Sequence, residues 1–142
     1  MKVPAKARYG LQLMVELALR HGRGPVLVPV IAERQGLPGK YLHVLLGSLK
    51  AAGLVRAQRG PSGGCELSRH PGHISALEII EALEGRPPQS SEEGDSSVGA
   101  RVVVELWERR SQAEREVLQS TSLAQLAARH QALEVDSYGY SI

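Results

Sequence analysis

Residues 53–69 read Gly53-Leu-Val-Arg-Ala-Gln-Arg-Gly-Pro-Ser-Gly-Gly-Cys-Glu-Leu-Ser-Arg69 and predict a β-hairpin. Two short strand-like pieces, Leu54–Gln58 and Cys65–Ser68, flank a loop that is rich in Gly and Pro, the residues that favour turns. Arg59 lies at the tip of that loop, where a long cationic side chain can reach past a phosphate backbone into a groove. The hairpin is therefore expected to be a wing that contacts nucleic acid.

The charge distribution supports a polyanionic partner for the same half of the chain. Residues 1–70 hold 11 basic and 3 acidic side chains, a net of +8, whereas residues 71–142 hold 6 basic and 12 acidic ones, a net of −6. The whole-chain value of +2 hides this split. A basic segment joined to an acidic one indicates that the first half meets a polyanion and that the second half has another task.

Three helical patterns precede the hairpin. They are predicted over residues 7–21, 30–34 and 40–52, with an extended connector over 25–29. The tight turn Leu37-Pro38-Gly39 joins the second helix to the third, and Gly53 is expected to cap the third. A short helix, a Gly-containing turn and a longer helix are the elements of a helix-turn-helix, and the hairpin makes it a winged one.

The third predicted helix has two different faces. One carries the core candidates Tyr41, Leu42, Leu45, Leu46 and Leu49, and the other carries Lys40, His43, Val44, Gly47 and Lys50. Lys40, Tyr41 and His43 are expected to face the major groove of DNA, with Lys50 and Arg56 near phosphates. An ordinary pair of bundle helices would show a similar pattern, but the hairpin and the charge split favour the DNA-binding interpretation.

The second half predicts a linker, a long helix and a tail. Ser75 and Glu78 form a capping-box signature ahead of an apolar helix. The expected organisation is a winged helix-turn-helix DNA-binding domain over 1–85, a polar linker over 86–97, dimerisation helices over 98–130 and a C-terminal tail over 131–142. The long amphipathic pattern over 98–119 indicates a symmetric partner, or a helix that folds back across its own domain; the two are compatible.

Composition narrows the function classes. No apolar run approaches the ~20 residues of a membrane span, and the N-terminus lacks the apolar core of a signal peptide, so a soluble cytoplasmic protein is expected. The five histidines do not cluster along the sequence, and hydrolase and nucleotide-binding motifs are missing. We therefore expect no enzymatic activity and no metal site.

Several short motifs, in the correct order over nearly the whole chain, resemble the Rrf-type winged-helix repressors. They are Lys6-Ala-Arg-Tyr-Gly-Leu11, Ile31-Ala-Glu-Arg-Gln-Gly36, Lys40-Tyr-Leu42, Ala52-Gly-Leu-Val55, Arg59-Gly60, Gly63-Gly64 and Ala82-Leu-Glu-Gly85. The resemblance implies a mainly α fold with a small β wing, a homodimer, a palindromic operator and a wing arginine, here Arg59, in the minor groove. The residues then expected to bind DNA are Lys6, Arg8, Lys40, Tyr41, His43, Lys50, Arg56, Arg59, Gly60 and Ser62.

The chain departs from this family where the family binds iron–sulfur clusters. Members that bind a cluster carry three Cys in the loop before the long helix, and here residues 86–101 contain none. Arg101 and Val104 stand where the last Cys and a His would fall, so no cofactor is expected.

Cys65 is interpreted as a small packed residue in preference to a redox sensor. His43 and Val44 replace the Glu and Gln of many relatives, so the operator sequence is not transferred.

The acidic, Cys-free linker resembles the cysteine-metabolism repressors of the family, as does the ending in Tyr138, Tyr140 and Ile142. That resemblance implies a partner, cysteine synthase, which accepts C-termini ending in Ile; a terminal carboxylate and an apolar side chain suit such capture. Docking of the tail on the dimer helices is the alternative for these three residues. For the whole chain, the alternative is a protein-interaction module in which the winged helix is structural.

Overall fold

The computed structural model describes residues 4–58, 64–85 and 97–139. In these residues a mainly α chain carries one two-stranded antiparallel sheet, which confirms the predicted fold class. The elements, in chain order, are α1 (Ala5–Leu19), α2 (Val28–Gln35), α3 (Gly39–Ala51), β1 (Val55–Gln58), β2 (Gly64–Leu67), α4 (Ala76–Glu84), α5 (Val98–Ser120) and α6 (Leu123–Gly139). Within this part of the chain, no helix combines the length and the apolar character needed to cross a membrane.

Aliphatic side chains of α1, α3 and α4 form the core of the basic half. Leu13 and Leu45 have no exposed surface, and Leu83 of α4 is nearly as buried. The crossing of α1 and α4 is close because Gly10 has no side chain: a Cβ there would lie 2.2 Å from Cδ1 of Leu83. This packing fixes α3 against the rest of the head, which we define as residues 4–85 without 59–63.

A buried carboxylate joins α1 to α2. Glu16 has no exposed surface. Its Oε1 accepts a hydrogen bond from Nε of Arg20 at 3.1 Å and forms an ion pair with Nε of Arg34 at 2.5 Å. Gln35 donates to Oε2 at 2.8 Å. Buried charges are tolerated when they are paired and hydrogen-bonded, so this network sets the position of the first helix of the helix-turn-helix.

The predicted boundaries before α3 are wrong by one or two residues. The first helix runs over Ala5–Leu19 instead of residues 7–21, so it ends two residues before the predicted end. The connector predicted over 25–29 is shorter, because α2 begins at Val28 and takes in Pro29. Proline is well suited to a first helical turn, since its missing N–H would have no partner inside the helix.

The last helix is much longer than predicted. The dimerisation helices were predicted to end at residue 130 and to give way to a tail at 131, but α6 continues to Gly139. Neither Gly nor Pro occurs between Arg129 and Gly139, so no helix-ending residue interrupts it. Of the predicted tail, Tyr140 and Ile142 lie outside the described residues, and only the backbone of Tyr138 is described.

The joint between α5 and α6 is attached to the head. The Ala76 N–H donates to the Thr121 carbonyl at 2.8 Å, and the Leu123 N–H donates to the Ile74 carbonyl at 2.8 Å. Leu123 itself has no exposed surface and belongs to the core of the head. An ion pair between Arg115 and Glu81 at 3.0 Å adds a contact between α5 and α4.

The opposite side of α5 is not covered by any of the residues that the structure describes. None of the residues of α5 is buried. Its apolar residues Val98, Val102, Val103, Leu106, Trp107 and Val117 are all more than half exposed, and we call them the α5 stripe. One side of α5 thus contacts its own domain, as the fold-back alternative predicted. The α5 stripe on the other side is exposed and could contact another protein surface.

Candidate nucleic-acid interface

The face of α3 predicted to contact DNA is exposed along its whole length. It consists of Lys40, His43, Val44, Gly47 and Lys50, at steps of three and four residues. The leucines at 42, 45, 46 and 49 are buried on the other side. Because the buried and exposed positions lie on opposite sides of the helix, α3 has one exposed surface that could enter the major groove of DNA.

Tyr41 has a different place from its predicted neighbours. It is half-buried, and its ring meets the ring of Tyr9 edge to face at 5.6 Å. The Arg8 guanidinium lies 4.9 Å from the centre of the Tyr9 ring and donates to the Tyr9 hydroxyl at 3.2 Å. These aromatic and cation–π contacts hold the start of α1, with exposed Lys6 and Arg8, beside α3.

The base of the wing is well formed. Val55, Arg56, Ala57 and Gln58 pair with Leu67, Glu66, Cys65 and Gly64, so the predicted antiparallel hairpin is confirmed over both strands. Arg56 is exposed and forms an ion pair with Glu66 at 3.3 Å, directly across the sheet. Arg59, Gly60 and Ser62 lie outside the described residues.

Tyr9 and Val44 were not among the residues predicted to bind DNA. The contact of Tyr9 with Tyr41 spans two helices, so no local pattern shows it. Val44 did have a visible signal, because it is an apolar residue on an otherwise polar helix face. The structure leaves it 59% exposed.

Cys65 is a packed residue at the base of the wing. Its side chain is buried, and its Sγ lies 3.6 Å from the Val26 carbonyl. The backbones of these two residues also exchange hydrogen bonds of 2.8 and 2.9 Å. Burial raises the pKa of the Cys65 thiol to about 11, so the reactive thiolate is scarce at neutral pH. This supports the packing interpretation over a redox sensor.

The histidines are closer together than the sequence indicated. The rings of His21 and His73 each lie 5.6 Å from the ring of His70. Nδ1 of His70, however, accepts a hydrogen bond from the Gly72 N–H at 2.9 Å, which leaves the proton on Nε2 of the neutral ring. Neither nitrogen is then open to a metal, and no group of three potential ligands with metal-binding geometry occurs among the described residues.

The sequence and the fold of this chain are similar to those of known transcriptional regulators. The model of the Rrf2 family, described as iron-dependent transcriptional regulator, matches residues 3–129. The transcriptional regulator CymR of Bacillus subtilis is 42% identical over 128 residues, which cover 90% of this chain and 91% of the relative. The regulator IscR of Xenorhabdus nematophila is 34% identical over 138 residues, which cover 95% and 84%.

Solved structures give the same result. The structure of CymR, the global cysteine regulator of B. subtilis, superposes with a TM-score of 0.78 at 40% identity and covers 91% of this chain and 98% of that one. The structure of T. potens IscR superposes with a TM-score of 0.78 at 41% identity and covers 92% and 88%.

The iron in the family description does not fit the donors of this chain. Protein iron–sulfur clusters are held mainly by cysteine thiolates, with histidine in some cases. The sequence contains one cysteine, and that residue is buried in the wing with a raised pKa. A cluster therefore lacks its ligands here.

We expect the protein, purified without oxygen, to be colourless and to contain far less than one iron per chain. Its affinity for an operator should be the same with and without a strong iron chelator, since no step of binding depends on the metal. Absorption spectra, iron analysis and a DNA titration test this. A brown preparation with stoichiometric iron would contradict it.

Proposed function

The chain belongs to the Rrf2 family of transcriptional regulators, and from this we propose that it is a homodimeric, sequence-specific repressor of genes for cysteine metabolism. Its relatives are regulators of transcription, and the chain is not an enzyme. The repressor activity, the dimer and the target genes are our inferences. The proposed place of action is the cytoplasm, on double-stranded DNA with a palindromic operator.

The observation that carries DNA binding is the exposed face of α3 with its surroundings. Lys40 and Lys50 lie on that face, and exposed Lys6 and Arg8 begin the neighbouring helix. This basic surface suits the phosphate contacts that supply most of the non-specific affinity for DNA. His43 and Val44 lie between the two lysines, where they would meet base edges in the major groove.

The α5 stripe is the basis for proposing a homodimer. Six large apolar side chains on one side of a helix are more than half exposed in the single chain. An exposed apolar patch of this kind marks an interaction surface. A two-fold contact of the stripe with a second copy would cover it and would present two α3 helices to the two halves of a palindrome.

The proposed link to cysteine rests on the relative called the global cysteine regulator. Chromatin pull-down with the intact protein, followed by sequencing of the bound DNA, tests it. Enrichment of promoters of cysteine and sulfur genes would support the proposal. A salt-dependent shift of those fragments would also exclude the alternative of an interaction module with a structural winged helix, because such a module would bind no DNA.

Replacing Arg59 with Ala is expected to weaken operator binding by roughly 1–3 kcal/mol per half-site, because a wing arginine in the minor groove reads local shape as well as charge. Lys50→Ala is the matched control. Loss of one phosphate contact in each half-site should weaken binding to all sequences alike and reduce the salt slope by about 1 per half-site. Unchanged operator affinity of the Arg59→Ala variant, at fixed salt, would rule out the wing contact.

The C-terminus is the proposed contact for cysteine synthase. Following the family resemblance, Ile142 with its free carboxylate would enter the anion-binding site of the enzyme, and Tyr138 and Tyr140 would precede it in the bound peptide. We expect the intact protein to bind purified cysteine synthase and a variant without Ile142 to lose most of that affinity. Equal binding of both proteins, or binding of neither, would reject this partner and leave the DNA-binding proposal unaffected.

A further inference from the structure

The helix proposed to enter the major groove lacks most of the side chains that usually read bases. Residues 39–51 contain no Arg, Asn, Gln, Asp or Glu, so α3 has no side chain of the kind that pairs with adenine or accepts from cytosine, and its two lysines are the usual kind of donor to guanine. The exposed side chains of α3 are the amines of Lys40 and Lys50, the imidazole of His43, the aliphatic group of Val44 and, at the C-terminal end, the methyl group of Ala51.

Val44 is unusual for the surface on which it lies. Large exposed apolar residues are rare in the described part of the head, where only Leu27 and Val44 have more than a third of their surface exposed. Val44 is the more exposed of the two, at 59%, and the exposed neighbours on its helix face include two cations. A β-branched residue weakens a helix slightly, so the position gains nothing from Val inside the protein.

Gly47 leaves the space beside Val44 open. It lies one turn further along the same face, and a Cβ built on it would meet nothing within 4 Å. Glycine weakens the interior of a helix, and packing within the described chain gives no reason for it here. A reason appears when a second molecule approaches the helix closely at this point.

We propose that Val44 is a specificity-determining residue that reads the C5-methyl group of a thymine in each half of the operator, and that Gly47 allows the base pair to approach. This rests on the proposed DNA-binding function. Thymine is the one base that presents a methyl group in the major groove, and an aliphatic side chain is the matching contact. The restricted χ1 of valine holds its two methyl groups in place before binding.

The test removes the methyl group from each partner in turn. In the operator found by pull-down, each thymine pair related by the two-fold axis is replaced with deoxyuridine, which keeps all hydrogen-bonding groups. For the wild-type protein, we expect one thymine pair to be sensitive to this replacement. Deoxyuridine at that position in one half-site should lower the affinity about fourfold, and in both half-sites about fifteenfold. Val44→Ala should bind the thymine operator more weakly by a similar factor and should not distinguish thymine from uracil at that pair.

Val135→Ala is the matched control, because Val135 is an equally exposed valine, at 68%, on α6. It should keep the full thymine preference. A wild-type protein that binds its operator but tolerates uracil at every position, or a Val44→Ala variant with the wild-type preference, would overturn the inference alone. Absence of sequence-specific binding by the wild-type protein would overturn the proposed function itself.

Discussion

Replacement of Leu106 and Trp107 with Asp is expected to give a folded monomer that binds an operator about 100- to 10,000-fold more weakly than the wild type, because two half-site contacts become one. Both side chains are more than half exposed on the α5 stripe, and neither supports the core of its own chain. A carboxylate placed there would lie in an apolar interface without a partner, which opposes association strongly.

Sedimentation would give the oligomeric state, circular dichroism the helix content and a titration the operator affinity. Gln112→Asp serves as the control, since this exposed residue of α5 is not part of the stripe. It should remain dimeric and bind DNA like the wild type. A Leu106→Asp, Trp107→Asp protein that stays dimeric would show that another surface mediates assembly.

A second large effect is expected inside the head, at the carboxylate of Glu16. Changing Arg20 and Arg34 together to Met should lower the free energy of unfolding by about 3 kcal/mol, because a side chain with no exposed surface would keep a charge without cationic partners. Gln35 alone would remain as a hydrogen-bond donor to it. Denaturant unfolding of the double variant measures the difference.

Adding Glu16→Met to that double variant should restore most of the lost stability, since the unpaired charge disappears and an apolar side chain of similar size fills its place. This recovery separates the electrostatic cause from a loss of arginine packing. If the triple variant were as unstable as the double one, the network would act through packing, and the charge of Glu16 would be incidental.

Local chemistry explains the features that the sequence predicted correctly. The Ser75 hydroxyl accepts from the Glu78 N–H at 3.1 Å and the Glu78 carboxylate accepts from the Ser75 N–H at 3.3 Å, as their three-residue spacing predicts. The structure shows the same type of cap at the start of α6, where the Ser122 hydroxyl accepts from the Gln125 N–H at 3.1 Å. The two faces of α3 also follow from periodicity alone, because burial repeats with the turn of the helix.

Contacts between distant residues explain what the sequence did not predict. The approach of Gln35 to Glu16 and the ring contact of Tyr9 with Tyr41 each join different helices, and neither leaves a spacing pattern. For the candidate DNA site, the exposure of Lys40, His43 and Lys50 followed from helix geometry. Periodicity also placed Tyr41 on the core face, but the contact of its ring with Tyr9 did not follow from the sequence, since it depends on how α1 crosses α3.

The attachment of Leu123 to the head limits how this protein can be divided. The apolar core of the first 85 residues is completed by a residue that follows the linker and the whole of α5. A fragment that ends at Gly85 would retain every residue proposed to contact DNA, but it would have a cavity where Leu123 packs, and the Ile74 carbonyl would lose its hydrogen-bond donor. Exchange of C-terminal helices between relatives, whether by recombination or by design, would therefore have to preserve this returning segment. The head and the joint between α5 and α6 form one unit that can be inherited only together.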